Sequence, residues 1–259
     1  MHWEYTKRRD GKIAITLDNN VWNFLFEKRI DLDSELPPDQ FAIFIPREVE
    51  IEALAIPAHP SKSELKDYIA RTIVSCGIRT TSVFGFATGG PGPQRYGGVG
   101  QGTWQSQTER EFYAAIREQY LIGRSIKNSQ LGDNEGDAAV AAKSFFSVVL
   151  TCEHTRKTGP LRFAAEHGGK ILCLADFDPS KLTLKAYIEA FYRQYDQVTH
   201  RPALLCGFRN VVAASESPSF PLLFREKLYE GVGDVGTVFF CDALAGLFDL
   251  LHLSAQVLA

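Results

Sequence analysis

Four acidic residues, Asp18, Glu52, Asp137 and Glu153, fall at the ends of expected strands or on helices beside them. Asp18 closes the apolar run Ile13-Ala14-Ile15-Thr16-Leu17 and is followed by Asn19 and Asn20. Glu153 closes a second run, Ser147-Val148-Val149-Leu150-Thr151-Cys152. A buried strand does not ordinarily deliver a charge into its own rim. In parallel sheets that rim is where ligands bind. Carboxylates meeting there repel one another unless a cation neutralises them. The chemistry this spacing points to is a divalent-metal site.

The elements that must position these acids read as alternating strand and helix. Residues 12–17 form an expected strand and 20–29 a helix with Val21, Phe24 and Leu25 inward. Residues 41–45 are a second apolar run. Pro46 then sits where a helix favours proline, and 47–56 reads as helical. Ser61 followed by Glu64 has the form of a capping box opening a helix to about residue 75. Residues 79–86 resemble a strand. Beyond a glycine-rich loop, helices are expected over 108–124, 133–146, 159–167 and 182–195, and strands over 147–152 and 170–174. Such alternation implies parallel pairing through right-handed crossovers.

The 259 residues suit one large domain, or one domain with a substantial extension. With 45% hydrophobic residues and 23% charged, the chain can bury a sizeable core. A net charge of −3 argues against a simple basic nucleic-acid binder, though not against an enzyme that meets phosphates through bound metal. Five dispersed cysteines without a C-x-x-C suit reduced, packed thiols in a cytoplasmic protein. The N-terminus lacks an apolar signal-type core. The apolar stretch 237–259 carries Asp242, Asp249 and Gln256 at seven-residue spacing, which favours an amphipathic helix over a membrane span.

In order along the chain, the acidic motifs resemble those of the PIN-domain family of metal-dependent nucleases. Leu17-Asp18-Asn19-Asn20 matches the end of that family's first strand. Pro46-Arg47-Glu48-Val49-Glu50-Ile51-Glu52-Ala53 matches the helix that carries its second acid, with alanine in place of leucine. Asp137 opens an alanine-rich helix, as the third acid does. Thr151-Cys152-Glu153 stands where the family has Thr-x-Asp or Thr-x-Asn, so Glu153 is a departure, one methylene longer. The resemblance covers roughly residues 12–174, interrupted between 54 and 133.

The resemblance implies a three-layer α/β/α sandwich with a central, mainly parallel sheet. Residues 1–178 would form this domain, with the glycine-rich insertion near 85–102. Residues 179–259 would form a C-terminal helical extension packed on it. It also implies Mg²⁺ or Mn²⁺, hard cations suited to oxygen ligands, and hydrolysis of RNA phosphodiesters. Asp18 would be the central ligand, with Glu52 and Asp137 completing the cluster and Glu153 holding a second metal or orienting water. Asn20 and Thr151 would support by hydrogen bonding, and Asp133 and Glu48 stand as additional or supporting acids. Arg47, Arg156 and Lys157 are the candidate phosphate contacts.

Each residue has a plainer alternative. Asp18 is also placed to cap the next helix. Glu48 and Glu52 lie one turn apart, so either suits the ligand role. Asp133 suits an N-cap, and the three basic residues suit an ordinary surface. A second functional class also stands: a PIN-like module that binds nucleic acid or protein with little or no cleavage. Expected partners are RNA and, beyond it, a second copy of the chain or a protein inhibitor.

Overall fold

A computed structural model describes residues 2–57, 59–86, 93–100, 102–121, 129–153 and 157–197. Five parallel strands form one sheet: β1 (Ile13–Leu17), β2 (Phe41–Pro46), β3 (Arg79–Thr81), β4 (Val148–Thr151) and β5 (Ile171–Cys173). Their spatial order is β3-β2-β1-β4-β5. The chain therefore builds outward in one direction from β1 to β3, then returns and builds the other way through β4 and β5. The order reverses between β1 and β4. In open parallel sheets the crevice at the carboxyl ends of the strands flanking such a reversal is the usual ligand site.

Helices join and flank the strands. They are α1 (Val21–Glu27), α2 (Leu32–Glu35), α3 (Arg47–Leu54), α4 (Pro60–Ser75), α5 (Gln107–Tyr120), α6 (Glu135–Lys143), α7 (Pro160–Glu166) and α8 (Leu184–Gln197). Right-handed crossovers put the connections on the two sides of the reversal onto opposite faces of the sheet.

Side-chain size divides those faces. Register pairs Ile13 with Phe41, Ile15 with Ile43 and with Val148, and Leu17 with Leu150, so one face presents large apolar side chains. The other face carries Ala14 beside Ala42 and Thr16 beside Phe44. Helix α6 contacts β1, β2 and β4. Its Ala138, Ala139, Val140, Ala141 and Ala142 are all buried. Small side chains let its backbone come close to the strands, which a leucine-rich helix would not do. In α8, Leu184, Tyr187, Ile188 and Phe191 join the same core as the strands. The rest of the expected C-terminal extension, from residue 198, lies outside the described residues, including the apolar stretch 237–259.

Several element ends differ from the sequence reading. Helix α4 begins at Pro60, so Ser61 lies inside its first turn and is no N-cap. The capping box instead opens α5: Ser106 Oγ accepts from Glu109 N at 3.1 Å, and Glu109 Oε2 accepts from Ser106 N at 2.8 Å. Strand β3 stops at Thr81. Past it only isolated bridges join Val83 to Thr103 and Phe84 to Gly97, tying the two described ends of the glycine-rich insertion together.

The N-terminal arm is held through Trp3, which is buried among Phe112, Phe145, Phe163 and His167. Gly168, at φ +102°, lies beneath this contact, and a Cβ there would meet the Trp3 carbonyl oxygen at 2.5 Å. Both strain and overlap oppose a side chain. Gly168→Ala is expected to lose about 2 kcal/mol, lowering the melting temperature by roughly 4–8 °C for a domain of this size. An unchanged melting curve would show that the arm shifts freely.

Candidate functional site

The crevice between β1 and β4 is where the sequence put its first and last acids. Alternation along β1 turns Asp18 toward the face that carries Thr16, and the same alternation along β4 brings Thr151 beside it. Asp18 is only 4% exposed. Its Oδ2 accepts from the Thr151 hydroxyl at 2.7 Å and from Asn20 Nδ2 at 2.7 Å, and its Oδ1 accepts from the Asn19 amide at 2.7 Å. Asn20 Oδ1 in turn accepts from the Cys152 amide at 2.7 Å, tying the end of β1 to the end of β4. Asn20 and Thr151 thus orient the Asp18 carboxylate. The role of the Cys152 amide had no signal in the sequence, because a backbone donor carries none.

Asp18 is not a helix cap. The residue capping α1 is Asn20, whose side chain makes no capping bond. The buried carboxylate serves its own network instead.

Its electrostatics are adverse. Burial pushes the Asp18 carboxyl up to about 6. The Thr151 hydroxyl pulls the other way, and the carboxylates of Asp137 and Glu153 add to the rise. A carboxylate with two like charges near it is a group that a cation would relieve. Asp137 occupies the first turn of α6, where the helix dipole favours negative charge.

Glu52 reaches the same helix end. Its carboxylate atoms lie 3.1–3.2 Å from where a Cβ on Gly136 would stand, so the glycine next to Asp137 makes room for it. Glu48, one turn earlier on α3, also approaches α6: burial raises its carboxyl's proton affinity, and its charged neighbours are Glu135, Lys143 and Arg95.

Glu153 is paired with Lys157 at 3.5 Å. Both line a small cleft with Asp137 and Thr151, and Arg162 of α7 lines it too. Arg162 was not singled out by sequence, since it follows Glu153 by nine residues and only the α7 packing returns it. Arg47 hydrogen-bonds the Gln94 carbonyl at 2.9 Å and pairs with Glu50, so it is held within α3 and the insertion. Asp133 precedes α6, but the N-cap is Asn134, in a left-handed conformation. Arg156 lies outside the described residues.

The donor set Asp18, Glu52, Asp137 and Glu153 is all oxygen, the chemistry that suits Mg²⁺ or Mn²⁺. Among the described residues, no three His, Cys, Asp or Glu side chains are gathered closely enough to hold a metal ion as they stand. The residues fit such an ion in type and in adverse charge. A cysteine nucleophile fits less well: burial pushes the Cys152 thiol up to about 12, far from a reactive thiolate. Among the described residues, no helix is long and apolar enough to cross a membrane.

Together these features define a parallel α/β protein with a buried, hydrogen-bonded carboxylate, Asp18, at the reversal of its strand order. No family model, curated protein or solved structure matches the chain.

Proposed function

We propose that this chain is a Mg²⁺- or Mn²⁺-dependent ribonuclease of PIN-like type, cleaving RNA phosphodiesters at the β1–β4 crevice. The observation that carries the reading is Asp18: a buried carboxylate at the sheet's reversal point, oriented by Thr151 and Asn20 and raised in proton affinity by burial and by Asp137 and Glu153. In this reading Asp18 and Asp137 hold the metal, with Glu52 and Glu153 reaching in. When bound, the ion supplies charge stabilisation at the phosphate and a more acidic water. Lys157 and Arg162, on the cleft wall, meet the phosphate backbone. RNA in place of DNA follows from the family resemblance.

The test is the purified chain with labelled single-stranded RNA and DNA, with and without Mn²⁺, beside Asp137→Asn. Mn²⁺-dependent cleavage of RNA, lost in the variant, is the expected result. Metal also binds only the folded state, so saturating Mn²⁺ at about 100 times its dissociation constant should add roughly 2.7 kcal/mol of stability. Asp137→Asn should lose most of that gain. Mn²⁺ that neither raises the melting temperature nor supports cleavage would remove the metal from the proposal.

One observation favours a second reading, a PIN-like interaction module without efficient cleavage. Glu153 stands where the resemblance has Asp or Asn and is already paired with Lys157. On that reading RNA binds without being cut, and Mn²⁺ leaves the melting temperature where it was.

A further inference from the structure

A larger cavity, sharing no lining residue with the cleft of Asp137 and Glu153, lies under the N-terminal arm on the small-residue face of the sheet. Its volume of about 590 Å³ is that of a small-molecule site. The space follows from the sequence. Ala14 and Thr16 leave β1 with little side-chain bulk on this face, and Lys143, the last residue of α6, lines the space. Ala14, Phe44 and Phe146 give the cavity apolar walls, while Lys7, Arg8 and Arg9 approach from the arm.

Charge and hydrogen bonding are unevenly distributed in it. The lining holds four cations, Lys7, Arg8, Arg9 and Lys143, against two carboxylates, Asp10 and Glu109. A positive wall on a chain of net charge −3 is a local reversal of sign. Lys143 is paired with Glu109 at 2.5 Å, and Arg8 with Asp10 at 2.5 Å. The Arg8 guanidinium also stands 5.4 Å from the Phe44 ring centre, so charge and aromatic surface are adjacent. The floor differs. The Thr16 and Ser147 hydroxyls are 2.6 Å apart, and Ser147 Oγ donates to the Lys143 carbonyl at 3.0 Å. Ser147 has one proton, so the Thr16 proton goes to Ser147, and the buried floor is left with no hydroxyl donor to offer an anion. Positive charge therefore lies at the arm, and the apolar surface lies on the walls.

We infer that this cavity binds a small organic anion with a flat apolar body, its charge at Arg8 and Arg9 and its rings against Phe44 and Ala14. The inference is independent of the nuclease reading and survives its failure.

The experiment titrates 1-anilinonaphthalene-8-sulfonate into the full chain at low salt, following fluorescence and, for stoichiometry, calorimetry. Its neutral counterpart, N-phenyl-1-naphthylamine, is titrated in parallel. The expected result is one saturable site, at least tenfold tighter for the sulfonate. Arg8→Gln/Arg9→Gln should weaken the sulfonate at least tenfold, leaving the neutral compound little changed. Ala14→Phe, which fills the cavity from its apolar wall, should remove both. Trp104→Ala alters an exposed aromatic on the glycine-rich insertion and should change neither. The inference is overturned by absence of a saturable site, by equal affinity for the two compounds, by an unaffected double arginine variant, or by loss of binding in Trp104→Ala. Should Ala14→Phe fail to fold, the double arginine variant, placed on the arm surface, still decides the matter.

Discussion

Asp18→Asn is expected to cut metal-dependent RNA cleavage by about a thousandfold or more while making the metal-free chain more stable above pH 6. The two effects have one cause. In the proposed mechanism a bound ion would draw its strongest attraction from this carboxylate, and several kcal/mol of charge stabilisation at the phosphate correspond to a rate factor of that size. Without metal the same carboxylate is buried beside Asp137 and Glu153, and its proton affinity rises to about 6.

The pH dependence follows from that rise. Below about pH 4, Asp18 is protonated in both the folded and unfolded chains and contributes no difference. Between pH 4 and 6 the folded chain keeps a proton that the unfolded chain has lost, so stability falls as pH increases. Above pH 6 the full penalty applies, roughly 3 kcal/mol for a shift of about two units. Asparagine carries no such penalty. It does disturb the bonds to Thr151 and Asn20, so the net gain expected at pH 8 is about 1–2 kcal/mol. Urea denaturation of both chains in EDTA at pH 4 and pH 8 measures it. A variant less stable than the parent at pH 8, or a difference independent of pH, would mean that Asp18 is an ordinary buried hydrogen-bonding residue.

How far the sequence reveals this site depends on the kind of signal each part carries. Asp18 is legible because it closes an apolar run; Thr151 lies inside the next run and is named through the resemblance, and the two meet because β1 and β4 pair Leu17 with Leu150. The alanine run of α6 is legible for a similar reason, since composition reports how closely a helix approaches its sheet. The choice between Glu48 and Glu52 is not legible. Helical spacing makes the two equivalent, and both approach the start of α6, Glu52 at Gly136 and Glu48 near Glu135. Arg162 is hidden because α7 must fold back before it joins the cleft. The false cap at Ser61 is a case of two local signals competing: Pro60 sets the first helical φ, and the helix starts there. The capping box at Ser106 and Glu109 has the same sequence form and is real, because no proline displaces it.

Lys143→Met is expected to cost about 3–4 kcal/mol at pH 7.5, far more than its sequence position on an alanine-rich helix suggests. Glu109 is 6% exposed and pairs with Lys143 at 2.5 Å. Burial alone would raise the Glu109 carboxyl. Lys143, aided by bonds from Ser106, outweighs it and holds the group below the ordinary carboxylate range. Glu48 also feels Lys143, while its own burial and Glu135 push it upward. One cation thus offsets the buried Glu109 and also acts on the half-buried Glu48. Removing one partner of such a pair is more damaging than the pair is stabilising, because the remaining charge stays buried.

The sign of the pH effect separates this from simple loss of packing. In the parent, a depressed Glu109 contributes stability above its unfolded value, lost as pH falls through the folded one. In Lys143→Met the group is raised instead and penalises folding at neutral pH. The difference between the two chains should therefore grow from pH 4.5 to pH 7.5. Lys143→Met/Glu109→Gln should recover more than half of the loss, since the double variant leaves no charge at position 109. Denaturation midpoints of the parent, the single and the double variants at both pH values supply the measurement. A loss below about 1 kcal/mol at pH 7.5 is what an exposed ion pair would give, and it would place Glu109 in contact with water.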